Sequence, residues 1–85
     1  MDIEFDPGKD AINQKRHGLS LAKATDLNWD AALIWMDDRF EYDEIRLLAL
    51  APDTSELFYV VFVDEIEVLR IISLRYADKS ERRLP

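Results

Sequence analysis

Between Arg70 and Arg83 the 85-residue chain carries Arg70, Arg75, Lys79, Arg82 and Arg83 beside the phenol of Tyr76 and the carboxylates of Asp78 and Glu81. A planar guanidinium matches two phosphate oxygens at once and keeps its proton, so this segment suits charge stabilisation on a phosphoryl group. In a regular strand Arg70 and Arg75, an odd number of residues apart, face opposite sides. Either only one of them joins a site, or the strand ends near Ser73 and the chain turns Arg75 back. Arg70 shares its face with Val68 and Ile72, and an ion pair with one of the many acids explains it as simply as a phosphate does.

His17 is the only histidine, which excludes a histidine-rich metal site and a two-histidine acid/base mechanism. A cation at a helix end is favoured by the helix dipole, and that structural explanation of His17 stands beside a proton-carrying role. The acid run Asp37 to Glu44 lacks the glycine and the ligand spacing of a calcium loop. It reads as a solvated hairpin with Arg39 pairing locally, and a metal-binding domain built on it is the remote alternative. No glycine-rich phosphate loop, Ser-His-Asp order or zinc-protease motif is present. Trp29 and Trp35 are anchors for the core or for a partner interface.

These groups need elements to hold them. Ile3 and Phe5 alternate with acids as a short strand does. Asp6-Pro7 then reads as an N-cap followed by Pro at the first helical position, and Gly18 supplies the left-handed stop after His17. Ser20 offers a second N-cap, with Leu21, Ala24 and Leu27 as a narrow apolar stripe, although Lys23 stands where a capping-box acid belongs. After Trp29 the texture changes to apolar runs between polar clusters, which predicts strands over Ala31 to Met36, Ile45 to Leu50, Leu57 to Val63 and Val68 to Leu74. Short connections require antiparallel neighbours. The run Leu57 to Val63 is apolar on both faces and belongs at the centre, with the two helices packed on one face through Ile12, Leu21, Ala24 and Leu27. A charged final helix follows Asp78, and Pro85 ends it after about two turns.

Length and composition bound the rest. The sequence fits one small domain over residues 1–85, and without cysteine it has no disulfide, thiolate zinc site or thiol nucleophile. No apolar run approaches the roughly 18 residues of a membrane span, which leads to the expectation of a cytoplasmic protein. The net charge of −7 hides an asymmetry: residues 1–69 sum to −10 and residues 70–85 to +3. An acidic body repels nucleic acid at long range, so a phosphate site must be small and C-terminal.

The strings Phe5-Asp6-Pro7-Gly8-Lys9, Asn13, Arg16-His17-Gly18-Leu19-Ser20, Asp38-Arg39, Tyr42 with Glu44 and Arg46, and Arg70-Ile71-Ile72-Ser73-Leu74-Arg75-Tyr76-Ala77 followed by Glu81-Arg82 cover nearly the whole chain in order. In them the sequence resembles the BrnT family of toxins from bacterial type II toxin-antitoxin pairs. The chain departs from the family at Asp43, where a Gly is often found, at Leu74, where Ala is usual, and in its acidity. The resemblance implies an α+β, RelE-like β-α-α-β-β-β-β domain with a short C-terminal helix and helices on one face of an antiparallel sheet. It implies a ribonuclease toxin that stops translation and a short cognate antitoxin as partner, with operator DNA reached only through that antitoxin and a homodimer or a heterotetramer as the assembly.

A metal-independent endoribonuclease without cofactor, in which the RNA 2′-OH attacks the adjacent phosphate, needs cations for the phosphorane charge and groups that carry protons. Arg70, Arg75 and Arg82 are the expected catalytic cations, with Glu81 as a proton carrier beside the candidates Tyr76 and His17. Lys9, His17, Tyr76, Lys79 and Arg83 are expected to bind RNA. The acidic body motivates the rival reading, a non-catalytic family member that only binds antitoxin.

Overall fold

The computed structural model describes residues 2–84, so Met1 and Pro85 of the expected 1–85 domain, including the predicted stop at Pro85, lie outside the described residues. The fold is α+β. Strand β1 (Asp2–Glu4) leads into helix α1 (Pro7–His17), short 3₁₀ turns cover Leu21–Asp26 and Trp29–Ala31, and β2 (Leu33–Met36), β3 (Leu47–Pro52), β4 (Leu57–Asp64) and β5 (Val68–Tyr76) follow, before helix α2 (Lys79–Arg82). The sheet order is β1-β5-β4-β3-β2, with β4 central as its two apolar faces require.

Helix α1 begins and ends as its sequence demands. The Asp6 carboxylate accepts the Lys9 N–H at 3.0 Å, Pro7 opens the first turn, and Gly18, at φ +72°, donates its N–H to the Gln14 carbonyl. The predicted second helix is instead a 3₁₀ segment. Leu21, Ala24 and Leu27 are spaced by three, which aligns them on one side when three residues make a turn. All three are buried against Ala49, Phe58, Val60, Phe62, Ile71 and Leu74. Asp10 ties this segment to α1 by accepting from Ser20 Oγ at 2.9 Å and from the Leu21 N–H at 2.7 Å.

Three expectations are corrected. The sheet is mixed, because β1 runs parallel to β5 with Ile3 opposite Leu69, while the other pairs are antiparallel. The chain from β1 to β5 is long enough to return in either direction, so the short-connection rule does not govern this pair. Ile12 does not pack in the core; it is 57% exposed, and its neighbour Asn13 is the buried residue of α1. The helices do not all share one face. The Leu21–Asp26 segment covers one side, α1 lies along β5 where β1 no longer pairs with it, and α2 sits over the other side, where Glu81 and Leu84 meet Leu33, Leu50 and Leu57.

Strand limits also move. β2 starts two residues late because Trp29–Ala31 forms a turn, and β3 starts two residues late because Glu44 and Arg46 turn toward Arg70 and Tyr42. Trp29 is a core anchor: its indole N–H donates to the Ala24 carbonyl at 2.9 Å and its ring meets Phe62 edge-on. Trp35 stays partly exposed on β2.

Candidate functional site

A one-residue irregularity in β5 decides where the arginines point. Val63 pairs with Arg70 and Phe62 with Ile71, but Val61 pairs with Ser73, so Ile72 is the extra residue of a β-bulge. The bulge resets the alternation. Arg70, opposite Val63, and Arg75, opposite Tyr59, therefore share one face of the sheet despite their odd spacing. Neither reading of the spacing foresaw this.

Sharing a face does not bring them together. Four strand residues lie between the two arginines, whose partners Val63 and Tyr59 are roughly 13 Å apart along β4, and each has its own carboxylate. The Arg70 guanidinium bonds Glu44, with Glu65 at 3.8 Å; Arg46 also bonds Glu44, and these two arginines hold the Glu44 carboxyl below its usual range. Arg75 makes a two-pronged bond to Glu81 at 2.9 and 2.8 Å and lies over the Tyr59 ring. Glu81 is fixed from the other side as well, since Asp78 and Glu81 form a capping box at the start of α2. The Arg75 guanidinium keeps Glu81 ionised at neutral pH. Arg82 donates to the Ala77 carbonyl and reaches Glu56 at 3.3 Å, farther along the same end of the sheet.

The other predicted residues divide. Lys79 and Arg83 are exposed on and just after α2 and make no ion pair among the described residues. Tyr76 pairs across the strands with Phe58 and stacks on its ring at 5.1 Å, which puts its phenol on the opposite face from Arg75. Lys9 and His17, by contrast, converge. Together with Ile12, Asn13, Arg16, Ile72 and Ser73 they line a cavity of about 230 Å³ between α1 and the bulge of β5. Lys9 and Arg16 make no ion pair among the described residues. Burial, then the charges of Arg75 and Arg16, push the His17 imidazole below its ordinary pKa of 6.5, so it is mainly neutral at pH 7. Arg16 lines the cavity, and Arg75, although not part of the lining, is near enough for its charge to act on His17.

Asn13 holds the wall of that cavity in place. Its side-chain amide donates to the Leu19 and Leu74 carbonyls, each at 2.8 Å, and accepts the Leu74 N–H at 3.0 Å. It replaces a neighbouring strand for this stretch of β5, whose backbone groups would otherwise be buried without partners. The sequence reading missed Asn13 as a keystone, and Arg16 and Ser73 as lining residues. The available signal was the spacing of Lys9, Ile12, Asn13 and Arg16, at three or four residues, which sets them on one helical face.

The acidic loop is occupied by its own arginines. Asp37 is buried, accepts from Arg39 Nε at 2.8 Å and Nη2 at 2.9 Å, and takes the Tyr42 hydroxyl at 3.0 Å. The Arg39 bonds lower its pKa from 3.8 to about 2. A depressed carboxyl contributes stability that is present above the unfolded value and is lost as pH falls through the folded one. Acid titration followed by tyrosine fluorescence is therefore expected to disorder this loop between about pH 4 and pH 2, and Asp37→Asn to remove that transition. A loop unchanged down to pH 2 would contradict the pairing.

A family model described as ribonuclease toxin, BrnT, of type II toxin-antitoxin system matches residues 5–81. No curated protein matches the chain.

Proposed function

We propose that this chain, which belongs to the BrnT family of ribonuclease toxins of type II toxin-antitoxin systems, cleaves RNA at the cavity between α1 and β5 without a metal ion. The observation that carries the proposal is the meeting of Lys9, Arg16 and a neutral His17 at one cavity beside Arg75. A phosphate entering there meets unpaired cations and a proton acceptor. Neutral His17 takes the proton of the RNA 2′-OH as its oxygen attacks the adjacent phosphorus. The 2′-O–P bond forms, the bond from phosphorus to the 5′ oxygen breaks, and a 2′,3′-cyclic phosphate remains while the departing oxygen takes a proton from water. Lys9, Arg16 and Arg75 stabilise the charge that develops on the phosphorane. Glu81, ionised on Arg75, cannot donate a proton in this state; it positions Arg75 and yields it to phosphate.

Arg70, Arg82, Lys79, Arg83 and Tyr76 lie outside this cavity and are proposed to guide the flanking RNA. The mixed sheet with a helix along β5 supports a RelE-like fold, and the family supports a cytoplasmic toxin held by a cognate antitoxin, as a homodimer or a heterotetramer, with operator DNA contacted through the antitoxin. A specific observation favours the rival reading of a non-catalytic antitoxin-binding module: Arg70, Arg75 and Arg82 each already engage a carboxylate.

Cleavage of a long RNA by purified protein separates the two. Arg75→Ala is expected to slow it by about 100-fold, and Arg70→Ala by much less, with circular dichroism unchanged. An inert wild type would favour the module reading, and equal losses in both variants would place the cleavage site away from the α1–β5 cavity.

A further inference from the structure

Strand β2 is an open edge without protection. All four of its residues, Leu33, Ile34, Trp35 and Met36, are exposed, and none is charged, proline or bulged. Natural sheets shield such edges because the free N–H and C=O groups recruit another strand. The opposite edge conforms: β1 is three residues long and carries Asp2 and Glu4. The pairing of β2 with β3 identifies which groups are free. Asp37 donates its N–H to the Arg46 carbonyl at 2.8 Å, so Asp37 and Arg46 form a hydrogen-bonded pair. By alternation Trp35–Leu48 and Leu33–Leu50 are hydrogen-bonded pairs, and the backbone groups of Ile34 and Met36 face outward.

The surroundings select the occupant. Asp30 and Asp64 border a cavity of about 250 Å³ beside Ile34 and Leu47, and Asp38 follows the strand; none of the three is in an ion pair among the described residues. A second copy laid antiparallel on β2 would bring Asp30 of each chain near Asp38 of the other, between molecules of net charge −7. Like charges so placed oppose pairing. A strand of the opposite charge meets no such cost.

We infer that β2 is the docking edge for an extended segment of the cognate antitoxin, apolar at alternating positions and flanked by lysine or arginine, which adds a sixth strand through the backbone of Ile34 and Met36. The inference rests on the family's antitoxin partnership and not on the cleavage chemistry. This edge lies across the sheet from the α1–β5 cavity, so docking here leaves that cavity open until other parts of the antitoxin cover it.

The test uses the purified full chain and the purified cognate antitoxin in titration calorimetry. Ile34→Pro and Met36→Pro each delete an outward N–H while sparing the bonds to β3. Each is expected to weaken binding roughly 10-fold or more, with the free variant still folded. Wild-type affinity in both folded variants would overturn the inference. Should proline unfold the strand, Ile34→Lys keeps the backbone donor but sets a cation against a basic partner, and it must weaken binding as well. Sedimentation of the wild type alone as a dimer that Ile34→Lys dissociates would assign the edge to a second copy and also overturn the inference. RNA cleavage by the same preparations, measured without antitoxin, reports on the catalytic reading separately: its absence defeats that reading and leaves the docking result intact.

Discussion

His17→Ala is expected to lower RNA cleavage at pH 7 by about 100-fold or more, the usual contribution of a positioned base. The replacement removes the one imidazole of the chain from a cavity whose other polar groups, Lys9, Arg16 and Ser73, are poor bases when charged or hydroxylic. The pH profile carries the sharper signature. Burial and the neighbouring Arg75 and Arg16 charges disfavour the imidazolium, so the basic form is complete above a pKa lower than the ordinary 6.5. Cleavage by the free enzyme therefore rises with pH on the acid side of 6.5 and is level from pH 7 to pH 8, and this rising limb disappears in His17→Ala. A limb that survives the substitution would assign the base elsewhere. His17 sits at the end of α1, before Gly18; even a charged group there contributes under about 1 kcal/mol to the helix end, and the neutral imidazole contributes less, so its loss from the helix cannot account for a 100-fold change in rate.

Asn13→Ala is expected to destabilise the fold strongly, by roughly 2–4 kcal/mol. Three hydrogen bonds end on this side chain, and two of them satisfy both backbone groups of Leu74. Alanine leaves that N–H and C=O without their side-chain partner. For a domain of this size such a loss lowers the melting temperature by about 10 °C or more. Urea unfolding measures it directly, and a change below about 0.5 kcal/mol would show that Leu74 finds another partner. The same variant loosens α1 from β5, so the cavity that holds Lys9, Arg16 and His17 loses its shape, and cleavage falls with stability.

Much of the scaffold was legible because local chemistry decided it. Asp6, Pro7 and Gly18 bound α1, the apolar run of β4 required the central position, and Asp78 with Glu81 started α2. What the sequence concealed were features that depend on two distant segments. The bulge at Ile72 has no residue signature, since nothing in Arg70-Ile71-Ile72-Ser73 demands it, yet it alone puts Arg70 and Arg75 on one face. The parallel pairing of β1 with β5 joins residues sixty-six apart in sequence, Asp2 and Val68. Ile12 looked apolar and inward, but the inward position of α1 serves the backbone of β5, which only a side chain with both a donor and an acceptor can satisfy. The resemblance to a family supplied the function, and residues 5–81 match that family. The partition of its arginines between Glu44, Glu81 and Glu56 came from the folded geometry.

The central claim, that the chain itself performs metal-independent transfer of an RNA phosphate at the α1–β5 cavity, is tested most directly by one measurement. Purified protein is incubated in EDTA with a defined RNA and with the same strand carrying a single 2′-deoxy residue at the mapped cleavage point. The account predicts cleavage of the RNA to a 2′,3′-cyclic phosphate and a 5′-hydroxyl end, and no cleavage where the 2′-OH is missing. An RNA left intact in EDTA but cut when Mg²⁺ is restored, or equal cleavage of the 2′-deoxy strand, would contradict it.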